Sequence, residues 1–228
     1  MVPSNILQRT HRILFGNSTG TAFTIDIDSR QYLITAKHVV EGINQSDVIF
    51  IQHENQWKES PCQVVGLGES DFDVAVLSLP LQISPNHPLS FSNTDFFLGQ
   101  DIYFLGYPYG LYGEIEPDLN SNFPLPLVKK GIISSFIHGK NNRLDNLLLD
   151  GHNNPGFSGG PVFYKVVGKQ DVFGVAGIIS SYKYEWYSVF QNGKQTDLVY
   201  QYNTGIIHSV GIQVALDLIR ANPVGFLL

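Results

Sequence analysis

The segment Asn154-Pro-Gly-Phe-Ser-Gly-Gly-Pro161 is the sharpest chemical feature of this 228-residue chain. It sets Ser158 among glycines, which tolerate positive φ and carry no side chain to block a close approach. Such a turn exposes a hydroxyl and brings backbone N–H groups near it. In an acyl-transfer enzyme the N–H groups of Gly156 and Ser158 would face a developing oxyanion, and one such donor is worth about 10²–10³ in rate. An ordinary Gly-Pro turn between two strands is the plainer alternative. A serine hydroxyl is a weak nucleophile and needs a base. Of the seven histidines, six sit in polar or irregular surroundings. His38 instead ends the apolar run that starts at Tyr32, where it is either a base or a satisfied core residue. A catalytic histidine is itself oriented, usually by a carboxylate. Asp73 opens the apolar run Asp73-Val-Ala-Val-Leu77, and Asp71, which would face the same way, is the second choice.

These residues need a rigid frame, and the composition favours strands. The chain has 22 Gly, 12 Pro and 12% aromatic residues, which fits many short strands joined by turns. Residues 21–27 alternate, 28–30 turn and 31–35 return, a hairpin pattern. Further strands are predicted over 47–52, 58–65 and 73–79, then over 101–105, 127–136, 146–149, 160–167, 172–180 and 198–207. Residues 81–97, with Pro85 and Pro88, read as a surface connection and a domain boundary. Helical spacing recurs only over 209–221, with Ser209 as a cap and Pro223 as a stop. The expected fold class is all-β. Two strand-rich halves of about six strands each, 1–95 and 96–228, are closed by a C-terminal α-helix at about 209–221.

Composition also excludes. With 43% hydrophobic and 15% charged residues the chain is neither disordered nor highly solvated. A net charge of −6 argues against a nucleic-acid partner. The single cysteine, Cys62, rules out an internal disulfide and reads as a small buried hydrophobe. The histidines are scattered and no His-Glu-x-x-His occurs, so no metal and no cofactor are expected. No apolar run approaches the roughly 20 residues of a membrane helix, so no membrane partner is expected. The first 12 residues lack the apolar core of a signal peptide, and a cytoplasmic location is the expectation.

Three blocks carry a resemblance. Thr35-Ala-Lys-His38-Val39, Asp73-Val-Ala-Val-Leu77 and Gly156-Phe-Ser158-Gly-Gly-Pro161 resemble those around the triad of trypsin-like (chymotrypsin-fold) serine proteases, in that family's order. Gly20-Thr-Ala-Phe23, residues 98–110, Lys130–Ser135 and Gly174–Ser180 resemble the bacterial HtrA-like branch, so the likeness spans about residues 14–219. The resemblance implies two six-stranded antiparallel β-barrels and a serine endopeptidase. In it Ser158 is the nucleophile, His38 the general base, Asp73 its orienting carboxylate, and the N–H groups of Gly156 and Ser158 the oxyanion hole. His152 would form the floor of the specificity pocket, and Ser180, Ser181 and Tyr182 its cleft-lining strand and wall. No Asp stands at the floor, so cleavage after a small or medium uncharged residue is expected of the protein or peptide substrate.

The chain also departs from the family. Phe157 stands where secreted digestive members keep an Asp that pairs with a new N-terminus, so activation by trimming is not expected. Val39 stands where they have a Cys, and the chain ends at Leu228 with no PDZ domain after the helix. A regulatory partner protein would then supply the restraint. Residues 183–197, with Tyr184, Trp186, Tyr187 and Phe190, read as a packed hairpin beside the cleft, substrate or partner binding being the other reading. Two rivals remain. One is a latent or pseudoprotease binding module of the same fold. The other is an α/β-hydrolase, whose Gly-x-Ser-x-Gly motif is present but whose helices and residue order are not.

Overall fold

The structure is a computed structural model that describes residues 2–87, 89–91, 95–114 and 120–228. Pro88, within the expected boundary segment 81–97, lies outside the described residues. A short helix, α1 (Ser4–Leu7), precedes seven strands: β1 (Thr10–Phe15), β2 (Ser18–Ile27), β3 (Arg30–Thr35), β4 (Val48–His53), β5 (Gln56–Pro61), β6 (Gln63–Leu67) and β7 (Ala75–Ser78). They pair in the order β5-β4-β1-β2-β3-β7-β6. The two ends of this path, β5 and β6, are joined by Cys62 alone, so the sheet must curl until its edges meet. Ile13, Leu33, Ile49 and Leu77 fill the inside of the curl.

The second half is a closed barrel of β8 (Asp101–Gly106), β9 (Leu127–His138), β10 (Leu144–Asp150), β11 (Pro161–Lys165), β12 (Phe173–Gln191) and β13 (Lys194–Gly211), in the order β10-β13-β12-β11-β8-β9. Ile102, Phe104, Leu147, Val162 and Ile179 pack its interior. Helix α2 (Ile212–Ala221) follows directly, and β14 (Phe226–Leu227) returns to pair with β3. A third apolar cluster lies between the halves. Phe23, Ile34 and Val76 of the first meet Phe163, Val175 and Ile178 of the second, with Ile212, Leu216 and Ile219 of α2. The fold is the expected all-β, two-barrel arrangement, the first sheet curled and the second closed.

Several local expectations need correction. The single strand expected over 58–65 is two, because the chain bends at Cys62, whose N–H donates to the Asp47 carbonyl at 2.9 Å. Burial of Cys62 matches its reading as a small core residue, and desolvation pushes its thiol pKa up to about 11. Asp73 lies two residues ahead of β7 rather than within a strand. Ser209 is not a helix cap: it is buried within β13, paired with Leu147 and Ile179, and Gly211 precedes the helix instead. Ladder pairing took the residue whose hydroxyl could equally have served a helix start. Among the described residues, no helix is long and apolar enough to cross a membrane, and no group of three or more His, Cys, Asp or Glu could hold a metal ion.

Candidate active site

His38 sits on a 3₁₀ turn, Lys37–Val40, directly after β3. Val39 and Val40 are buried in the first core and fix this turn, leaving the imidazole half-exposed. Asp73 holds it twice. The His38 backbone N–H donates to Asp73 Oδ1 at 2.9 Å, and ring Nδ1 lies 2.7 Å from Oδ2. The ring contact places the proton on Nδ1 and leaves Nε2 as the lone-pair nitrogen. Ser180 Oγ donates to the same Oδ2 at 2.7 Å. The second choice, Asp71, is exposed, and among the described residues its side chain bonds only Ser70.

The charges follow this geometry. The hydrogen bond to Asp73 raises the His38 pKa above its ordinary 6.5, against the opposing pull of desolvation. Burial works against a charge on Asp73, but the bonds from His38 and Ser180 together outweigh it and lower the carboxyl pKa. A carboxylate facing an imidazole that gains basicity is the arrangement of a general base and its orienter.

Ser158 lies on the turn between β10 and β11. Gly156 has φ +103° and Gly159 φ +83°. A Cβ on Gly156 would stand 2.4 Å from the Tyr107 carbonyl oxygen, and one on Gly159 2.1 Å from that of Thr21, so both positions require glycine. Thr21 ties the turn to the first half: its N–H donates to the Ser158 carbonyl at 2.9 Å and its Oγ1 to the Gly156 carbonyl at 2.7 Å. Phe157 is fully buried, edge-on to Phe104 at 5.1 Å. It anchors the turn by apolar packing at the position where digestive relatives use a charge. Among the described residues, neither the Gly156 nor the Ser158 N–H meets an internal acceptor. The Ser158 hydroxyl donates to the Ser180 carbonyl at 3.3 Å.

A cleft of about 290 Å³ brings His38, Ser158, Ser180, Ser181 and Tyr182 together. A larger concavity of about 820 Å³, beside Gln100 and Lys165–Asp171, contains no nucleophile beside a base. Of the four residues expected to form the specificity pocket, His152 is the one the cleft does not include. Its side chain is exposed, and the buried Asn153 lines the cleft instead. The turn points successive side chains to opposite sides, and the His152 carbonyl is held by Lys129 Nζ at 2.6 Å. The same ammonium bonds the Asn154 side chain and lies 5.4 Å from the centre of the Phe157 ring. Partial burial lowers the Lys129 pKa. Lys129 and Gln201 escaped the sequence reading, because each reaches the site from a distant segment without a motif of its own.

A family profile described as the trypsin-like peptidase domain matches residues 20–174, a stretch that includes His38, Asp73 and Ser158. The chain belongs to the trypsin-like peptidase family. No curated protein matches it in sequence. Among solved structures, the HtrA-type protease AlgW with a tripeptide is 23% identical with a TM-score of 0.62, covering 96% of this chain and 61% of AlgW. This chain therefore spans about three fifths of that protease. A serine endoprotease from Yersinia pestis is 22% identical (TM-score 0.60, 96% of this chain and 68% of that one). The Rv3671c protease from M. tuberculosis, in its inactive form, is 19% identical (TM-score 0.58, 95% and 90%). At these identities the likeness is one of fold. As a trypsin-like peptidase of the HtrA-type fold, the chain carries its long β12–β13 hairpin almost wholly beyond the matched segment.

Proposed function

We propose that this trypsin-like peptidase is a serine endopeptidase that works through His38, Asp73 and Ser158. The observation that carries the reading is the double grip of Asp73 on His38, through ring and backbone, on the cleft that also contains Ser158. In the resting conformation the Ser158 proton is given to the Ser180 carbonyl, so catalysis begins with rotation of the hydroxyl toward His38 Nε2. Ser158 Oγ then bonds to the scissile carbonyl carbon as its proton passes to Nε2. The carbonyl oxygen becomes an oxyanion that accepts the Gly156 and Ser158 N–H groups. Collapse breaks the C–N bond, and the imidazolium gives its proton to the leaving amine. Water, deprotonated by His38, releases the acyl group by the same steps.

The unit works only as a whole, because residues 1–95 supply His38 and Asp73 and residues 96–228 supply Ser158. The proposed substrate is a protein or peptide; AlgW, of the same fold, has been solved with a tripeptide and with a decapeptide. The cleft floor offers Asn153 and no carboxylate, which favours cleavage after an uncharged residue. The test is covalent labelling with a fluorophosphonate. The wild-type chain labels and Ser158→Ala does not. Labelling that survives the substitution overturns the nucleophile, and no labelling in either chain overturns the active-protease reading.

A further inference from the structure

Strand β12 leaves the barrel and continues. β11 accompanies it only to Ile178, yet β12 runs to Gln191 and β13 starts back at Lys194. From Ser181 onward β12 pairs only with β13, and its other edge has no strand partner among the described residues. The root of this hairpin is tied to the nucleophile loop: Asn203 Nδ2 donates to the Asn153 carbonyl at 2.7 Å, and the Gly151 N–H to the Gly205 carbonyl at 2.9 Å. The expectation of a packed aromatic hairpin is corrected here. The hairpin forms, but Trp186 is 61% exposed and Phe190 65%.

Its two faces differ. Pairing puts Glu185, Tyr187, Tyr200 and Tyr202 on one face, where Tyr187 stacks on Tyr200 at 6.0 Å, meets Tyr202 at 5.9 Å and donates to Glu185. That face satisfies itself. The other face carries Tyr184, Trp186, Ser188, Val199, Gln201 and Asn203, none of them charged. Tyr184 and Gln201 line the same cleft as Ser158, and Trp186 extends it, edge-on to Tyr184 at 6.3 Å. An exposed apolar stripe continuous with a reaction cleft, along an unpaired strand edge, is built for an extended chain.

We propose that the β12–β13 hairpin is a substrate-binding arm. It takes the segment of the peptide substrate that precedes the scissile bond, as an added strand with apolar or aromatic side chains at alternate positions against Tyr184 and Trp186. The inference rests on the serine endopeptidase reading and deepens it. Ser181 and Tyr182 wall the site for the residue before the scissile bond, and the same strand leads outward from them. At about 3.3 Å per residue, the distance from Tyr182 to Trp186 spans roughly four substrate residues. Backbone pairing along the edge gives affinity with little regard to sequence, and the aromatic face selects.

Two measurements test it. The first uses fluorogenic peptides with one scissile sequence and either two or seven residues ahead of the cut, the longer bearing aromatics at alternate positions. The wild-type kcat/KM rises at least tenfold with length, mainly through KM, and Trp186→Ala weakens the long peptide about tenfold more than the short one, while Trp186→Phe retains most of the gain. The second measures binding of the long peptide to Ser158→Ala by fluorescence anisotropy, which reads the arm without turnover. Binding there with no turnover in the wild type would sink the protease reading alone. No gain with length, equal loss for both peptides in Trp186→Ala, or a concentration-dependent dimer abolished by that substitution overturns the arm.

Discussion

Ser180 and Asp73 are joined by a 2.7 Å hydrogen bond to the same carboxylate oxygen that receives the His38 ring. Ser180 also offers its carbonyl to the Ser158 hydroxyl, so one residue of the second half touches both Asp73 and Ser158. Its hydroxyl is held by Asp73. In Ser180→Ala the carboxylate loses one of its three donors, and a bond to a charged group contributes about 1.5–3 kcal/mol, less where solvent reaches it. The expected result is a fall in kcat of about tenfold, with KM for a short peptide little changed and fluorophosphonate labelling of Ser158 slower but complete. An unaltered kcat would rule out a positioning role for Ser180.

The pH profile follows from His38. Catalysis needs the neutral imidazole, and the Asp73 bond raises its pKa, so kcat/KM falls as pH drops through a value above 6.5. The stability effect has the opposite sense: the stabilisation of charged His38 by Asp73 is complete below about 6.5 and is lost as pH rises through the raised value. Asp73→Asn removes both the charge and the tautomer control, with an expected loss of about 10⁴ in kcat. An acid limb at or below 6.5 in the wild type would contradict the assignment.

Lys129 holds the loop that leads to Gly156 and Ser158, the proposed oxyanion donors. Lys129→Met keeps the bulk beside Phe157 and removes the bonds to His152 and Asn154. The expected outcome is a 10- to 100-fold lower kcat for peptide hydrolysis with a melting temperature close to wild type. A normal kcat would show that the loop holds its shape without the ammonium.

Phe157 tests the apolar anchor. It is fully buried in the second core against Phe104, and Phe→Ala in such sites costs about 3–5 kcal/mol. Urea unfolding should show that loss in Phe157→Ala, and labelling of Ser158 should fall even under conditions where the chain remains folded. A change below about 1 kcal/mol would place the anchor elsewhere.

The parts legible in the sequence were those with local signatures. Glycines around Ser158 announce a tight turn, alternation over 21–27 announces β2, and 3.6-residue spacing announces α2. His38, Asp73 and Ser158 stand in such blocks, and the structure brings His38 and Ser158 to one cleft with Asp73 behind the imidazole. The remainder depended on partners far along the chain. Ser209 has a hydroxyl fit for a helix cap, and only its pairing with Leu147 and Ile179 decides that it stays in a strand. His152 and Asn153 differ by one position, and a turn of unknown phase decides which faces the cleft. Aromatics at 184, 186, 187 and 190 announce a strand but not that β11 stops short and leaves them uncovered.

The two bonds from Thr21, to the carbonyls of Ser158 and Gly156, have a consequence for the life of the chain. A protease is surrounded during synthesis by ideal prey, its own unfinished copies. Here the nucleophile turn is braced by a strand from the opposite half, and α2, near the far end of the sequence, is packed between the two. Under the proposed function, a nascent chain that has made His38 and Asp73 still lacks the nucleophile, and one that has just made Ser158 still lacks the helix packed between the halves. On that reading, the cleft that pairs His38 with Ser158 is complete only once both halves and α2 have folded together.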